Sequence, residues 1–121
     1  MSKLTVVLGA SNKPERYSNK ALRMLKEYGH AVIPVHPLHK EIEGEKAVSS
    51  LNEISEEVDT VTVYLSPETS AGLAEDIIRL NPNRVILNPG AESPDLEEAL
   101  KIACVPYEHA CTLVLLQTGQ Y

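Results

Sequence analysis

At 121 residues the chain has room for one sizeable hydrophobic core, and the expectation is a single domain spanning residues 1–121. Its 43% hydrophobic and 23% charged residues are those of an ordinary globular protein, and no apolar run nears the roughly 18 residues of a membrane span. The net charge of −6 argues against a general nucleic-acid binder, and two cysteines without ligand spacing disfavour a disulfide framework or a zinc site.

Met1-Ser2-Lys3 leads straight into an apolar segment with no signal-peptide pattern, so the protein is read as cytoplasmic. Trp and Phe are absent, which leaves Val, Ile, Leu and Ala to build the core and suits buried parallel strands. The charge is unevenly spread. Residues 1–40 hold seven Lys/Arg against two acids (+5), and the remainder holds four against fifteen (−11). An acidic chain with a cationic first third is expected to meet an anion there, although Arg23 and Lys26 fall inside a helical pattern and read as solvated helix face.

Leu4 to Leu8 is β-branched and apolar, stopped by Gly9, and reads as a first buried strand. Ala21, Leu22, Leu25 and Tyr28 recur at helical spacing, which predicts a helix over 18–28 capped by Ser18 and ended by Gly29. Residues 31–35 form the second strand, with Pro34 near its end. A polar stretch follows, then a short helical turn near 51–54. The third strand covers 60–65, and a helix from 68 to 80 presents Leu73, Ile77 and Leu80 on one face. The fourth strand is 84–87, and a helix from Pro94 to 103 carries acids beside its positive end. A weak fifth strand at 105–107 and a helix over 110–117 complete the pattern.

This alternation predicts a Rossmann-like three-layer α/β/α sandwich around a five-stranded parallel sheet. The expected strand order is 3-2-1-4-5, with ligands beyond the carboxyl ends where strands 1 and 4 meet. Four loops therefore draw attention: 9–18, 36–40, 65–68 and 88–92.

The first loop, Gly9-Ala10-Ser11-Asn12-Lys13-Pro14-Glu15-Arg16-Tyr17-Ser18, combines close backbone approach at Gly9, main-chain amides, a helix N-terminus and two cations, Lys13 and Arg16. That set suits a diphosphate. A dinucleotide fingerprint G-x-G-x-x-G is missing, as is the acid after strand 2 that would hold a ribose diol. In its place Pro37 stiffens the turn, and His36 and Lys40 favour a phosphate, which points to coenzyme A or NADP rather than NAD. Leu65, Ser66 and Pro67 either offer an apolar surface and a hydroxyl to an adenine or simply start a proline-initiated helix. Asn88 and Gly90 face the same crevice; the Asn88 amide serves either a ligand amide or its own local turn.

The histidines read mostly as structural: His30 beside the last helix carbonyls, His39 solvated, His109 next to Glu108. Cys111 reads as a small buried hydrophobe. No nucleophile–base–acid order, metalloprotease pair, phosphate-loop lysine or carboxylate constellation is present in the sequence, so catalysis is not expected.

The segments Gly9 to Ser18, Val32-Ile33-Pro34-Val35-His36-Pro37, Gly44 to Leu51, Val58-Asp59-Thr60-Val61 and Asn88-Pro89-Gly90-Ala91 together resemble the small stand-alone CoA-binding proteins. These are similar to the nucleotide-binding domain of the succinyl-CoA synthetase α subunit. The resemblance implies that Gly9, Ala10, Ser11, Lys13, Arg16 and Ser18 contact the phosphates of coenzyme A, with Tyr17 in the same loop. It implies His36, Pro37 and Lys40 beside the adenosine, and Leu65, Ser66 and Pro67 flanking the adenine. Two departures stand out: many members have Asn where this chain has His36, and many carry an aromatic-Gln-x-Gly run where it has Leu87-Asn88-Pro89-Gly90. The synthetase's phosphorylated histidine belongs to a different domain, and nothing here supports ligase chemistry. The expected role is non-enzymatic binding of coenzyme A or acyl-CoA. An NADP-binding or acyl-CoA-modifying enzyme acting through Cys111 or His109, and a regulatory protein with a vestigial site, stand as alternatives. A homodimer or a further protein partner is left open.

Overall fold

The computed structural model describes residues 2–121. Five short strands form one parallel sheet: β1 (Thr5–Leu8), β2 (Val32–Val35), β5 (Thr60–Val63), β6 (Arg84–Leu87) and β7 (Tyr107–His109). A two-stranded hairpin, β3 (Glu41–Ile42) with β4 (Glu45–Lys46), lies beside β2. β1, β5 and β6 sit inside the sheet, and β1 and β5 are buried along their whole length. That is why they read as continuous apolar and threonine runs rather than alternating ones. Pro34 is tolerated because β2 is an edge strand, whose outer side meets Val48 through a single bridge.

Successive residues of each strand point to opposite faces, and the core divides accordingly. On one face Val6, Leu8, Val61, Val63, Val85 and Leu87 pack with Leu51, Ile54, Ile77, Leu96 and Leu100. These last belong to or adjoin the 3-10 turn η1 (Leu51–Glu53), α3 (Ala74–Leu80) and α4 (Pro94–Ile102). On the other face Val7 and Val32 pack with Leu22 and Leu25 of α1 (Tyr17–Glu27) and Leu116 of α5 (Thr112–Gln117). The three-layer α/β/α expectation is met. Among the described residues, no helix is long and apolar enough to cross a membrane.

The strand order needs correction. Counting only the five strands of the main sheet, the order is 2-1-3-4-5, because the third strand, β5, pairs with β1 and not with β2. The expected 3-2-1-4-5 would require the chain to continue outward from β2. Instead the segment after β2 turns back through the hairpin and η1 and crosses over β1. A right-handed crossover in that direction places η1 on the face opposite α1, as observed. The reversal of strand order, and so the crevice, falls between β1 and β5 rather than between the first and fourth strands.

Smaller differences have local causes. The helix expected over 68–80 is two helices, α2 (Pro67–Ala71) and α3, separated at Gly72-Leu73. Gly72 caps α2, and the amide of Leu73 bonds back to the carbonyl of Ser70. β7 lies two residues later than the expected 105–107: Val105 is buried, but the ladder with β6 runs from Tyr107. Ser18 does not cap α1; the N-cap is Arg16, and it makes no side-chain cap bond.

Candidate functional site

β1 ends at Gly9, whose φ of +90° lies in the left-handed region. A Cβ there would lie 2.8 Å from Leu65 Cδ2 and 3.1 Å from the Tyr64 carbonyl carbon, so only glycine lets this loop press against the end of β5. The loop then rises away from the sheet. Its Ser11 hydroxyl accepts the Lys13 amide (3.1 Å), while the amides of Ser11 and Asn12 have no partner among the described residues.

Two side chains fix the loop from below. Asn19, fully buried, donates to the Ser11 carbonyl (2.9 Å) and to Glu43 Oε2 (3.1 Å). Arg23 donates to Asn19 Oδ1 (2.8 Å) and to the Pro14 carbonyl (2.9 Å). Arg23 therefore holds the loop rather than merely solvating a helix face, which corrects the sequence expectation. Lys26 is likewise engaged, with the Glu43 carbonyl (2.8 Å) and Glu45 (3.0 Å).

α1 begins at this loop with its first N–H groups open and no acid in its first turn. A helix N-terminus carries partial positive charge, and a cation at the N-cap is unfavourable there unless an anion is present. Arg16 is that cation. Lys13 stands beside it, and neither makes an ion pair or a side-chain hydrogen bond among the described residues.

These groups border a cleft of about 590 Å³ at the carboxyl ends of β1 and β5. Gly9, Ser11, Lys13, Arg16, Tyr17 and Ser18 line it from the first loop. His36, Leu65, Ser66 and Gly90 line it from the other three. A second cavity of about 390 Å³ continues past Gly9, His36 and Leu65, where Ala10 and Pro37 form part of its wall and Ser49, its hydroxyl bonded to Glu53, stands with Ser50 at one side. Twelve of the fifteen residues singled out in the sequence thus meet in two joined cavities.

The remaining three do not join them. Lys40 is exposed on the approach to the hairpin, where the register of Ala47 with its carbonyl (2.8 Å) carries it past the cleft. Pro67 starts α2, and its carbonyl accepts the Ser70 and Ser93 hydroxyls, both at 3.2 Å. Asn88 is 2% exposed and its amide is spent inside the fold. It donates to Thr62 Oγ1 (2.7 Å) and the Val63 carbonyl (2.9 Å), and it accepts the Thr112 amide (2.9 Å).

His36 shapes the turn after β2. Its Nδ1 accepts the amides of Leu38 and His39, both at 3.0 Å, which requires the neutral ring and places its proton on Nε2. Burial holds its pKa below the ordinary histidine value, and the neighbouring His39 adds to the shift. The His36 and His39 rings lie 4.2 Å apart, so His39 lines the cleft and is not simply solvated. His30 meets the end of α1 as expected, its main-chain amide donating to the Leu25 carbonyl (2.9 Å), and its ring Nδ1 also accepts the Lys3 amide (3.0 Å). His109 pairs with Glu97 (3.0 Å), not with the adjacent Glu108, and lies outside the cleft lining.

Residues 3–117 match a family model described as the CoA binding domain. The chain belongs to that family. Several relatives of this CoA-binding-domain chain are informative. The uncharacterized protein YneT of Bacillus subtilis is 31% identical over 119 residues, covering 92% of this chain and 88% of that protein. A solved structure titled as an uncharacterized protein superimposes with TM-score 0.93 at 38% identity, covering 100% of this chain and 99% of the other. The α subunit of an ADP-forming acetate–CoA ligase II from Pyrococcus furiosus is 41% identical over 60 residues, which is 49% of this chain and 13% of that subunit.

Sequence reasoning missed Asn19 and Tyr64 in this CoA-binding-domain chain. Asn19 gives no signal beyond an amide in the first helical turn. Tyr64 packs its ring against the cleft while its hydroxyl is buried without a well-formed hydrogen bond. Burial pushes that hydroxyl's pKa up to about 12, against the pull of the nearby Thr112 and Thr62 hydroxyls.

Proposed function

We propose that this protein binds coenzyme A without transforming it, seating the diphosphate against the loop after β1. The observation that carries this reading is the open start of α1, where the Arg16 and Lys13 side chains and two main-chain amides have no partner among the described residues. An anion there satisfies orphan donors, offsets the cation at the helix N-terminus and gains charge-assisted hydrogen bonds. On this reading the Nε2–H of His36, with His39 behind it, meets the 3′-phosphate, and the adenine lies in the cavity walled by Leu65 and Leu51. Family membership supports coenzyme A over other nucleotides. Support for a binding role comes from the groups that face the cleft: amides, hydroxyls and cations, suited to holding a ligand. Among the described residues, the histidine–carboxylate pair of His109 with Glu97 lies elsewhere.

Titration calorimetry with coenzyme A, dephospho-CoA and NADP tests the assignment. Coenzyme A is expected to bind tightest, with dephospho-CoA weaker by about tenfold or more through loss of charge-assisted contacts. Equal binding of all three, or none, rejects it. Conversion of acetyl-CoA in a separate incubation with the protein would reject the non-enzymatic part alone.

A further inference from the structure

A third cavity, of about 260 Å³, opens from the cleft between α1 and α5. It shares Tyr17, Tyr64 and Pro89 with the cleft, and Asn88, Cys111 and Leu113 complete its wall. We infer that this chamber receives the acyl group of an acyl-CoA thioester, so that the protein prefers short- to medium-chain acyl-CoA over free coenzyme A. The inference rests on the proposed coenzyme A site and deepens it.

The placement follows from the two cavities that flank the phosphate loop. The one beyond Gly9, His36 and Leu65 has flat, mainly apolar walls suited to a base. The one beyond Tyr17 and Tyr64 lies on the opposite, α1/α5 face of the sheet. A ligand held at its central diphosphate sends one arm into each, and the arm opposite the base ends in the thioester.

The chamber's chemistry selects what that end carries. Its wall is mainly carbon from two aromatic rings, Pro89 and Leu113. Both amide hydrogens of Asn88 are taken by Thr62 and Val63, and its oxygen holds the Thr112 amide. The Tyr64 hydroxyl is buried, so it is the ring rather than the oxygen that faces the chamber. A bare thiol leaves such a space without a matching occupant, whereas an alkyl chain removes apolar surface from water on both sides. An apolar cavity of about 150 Å³ accepts a benzene molecule, so this chamber fits an acyl chain of roughly four to eight carbons.

The test is a calorimetric series on the intact protein with coenzyme A and its acetyl, butyryl, hexanoyl and decanoyl thioesters. Affinity is expected to rise by about fourfold per methylene, the factor equivalent to about 0.8 kcal/mol, and to level off once the chamber is full. Leu113→Trp, which fills the chamber, is expected to erase the gradient. A series no tighter than coenzyme A itself overturns the inference while leaving the coenzyme A site standing. A gradient that survives Leu113→Trp also overturns it, because the chain then lies elsewhere. Should the tryptophan variant fail to fold, the unmutated series alone decides. Failure of coenzyme A and every thioester to bind removes the underlying site and this inference with it.

Discussion

The loops that leave β1 and β6 both carry polar residues to the carboxyl end of the sheet, but they dispose of them differently. After β1, two amides and the cations of Lys13 and Arg16 face the cleft with no partner among the described residues. After β6, Asn88 uses its whole amide on Thr62, Val63 and Thr112, and the Gly90 amide is taken by Glu92 (3.0 Å). Depth makes the difference. Arg16 and Lys13 are exposed, so their charges stay hydrated at little cost until a ligand arrives; Asn88 is 2% exposed, and an unpaired amide at that depth is penalised. A polar residue at a strand end marks a ligand contact only where the fold leaves its hydrogen bonds unmade.

The sharpest way to break this comparison is Asn88→Ala. It orphans the buried Thr112 amide and the Val63 carbonyl, at a cost of roughly 2–5 kcal/mol. The melting temperature should fall by on the order of 10 °C in a circular-dichroism scan. A variant that melts like the parent but no longer binds coenzyme A would show the amide facing ligand after all.

Arg16→Ala is expected to do the reverse. Losing a charge-assisted contact weakens coenzyme A by about 10- to 100-fold in calorimetry, and less so at high salt. Without ligand the same variant should be no less stable than the parent, and more stable by about 0.3–1 kcal/mol if the macrodipole repulsion is relieved. Destabilisation of the free protein would mean that Arg16 is spent inside the fold as Asn88 is.

The two loops also show how far the sequence was readable. Local pattern located β6 at 84–87, the proline start of α4 and the cationic loop, because each depends on residues adjacent in the chain. Strand order was not local. Nothing in residues 36–59 states whether the chain leaves β2 outward or turns back across β1, and the hairpin at 41–46 that redirects it is only two residues per strand. Arg23 and Asn19 were misjudged or missed for a related reason. Their partners, the carbonyls of Pro14 and Ser11, reach them only because the loop folds back over α1. Asn88 was legible as either ligand-facing or structural, and only its burial decides between them.

The smallest expected effect concerns His36, which stands between the two loops in character. Its Nδ1 is spent on two amides of its own turn, like Asn88, and its ring borders the cleft, like Arg16. Burial lowers its pKa, and burial with the nearby Lys3 charge lowers that of His30, whose Nδ1 is also occupied. For a histidine whose folded pKa is depressed, the unfolded chain takes up protons first as the pH falls. The stabilisation is complete above the unfolded value of 6.5 and declines as the pH drops below it. Melting curves between about pH 5 and 8 should show that decline. In His36→Asn the side-chain oxygen accepts the same two amides as an Asx turn and does not titrate. Its stability should fall less steeply with acid than the parent's, retaining only the share owed to His30. An unchanged slope would mean that the Nδ1 contacts of His36 do not persist in solution, and the turn after β2 would then belong with the uncommitted loop.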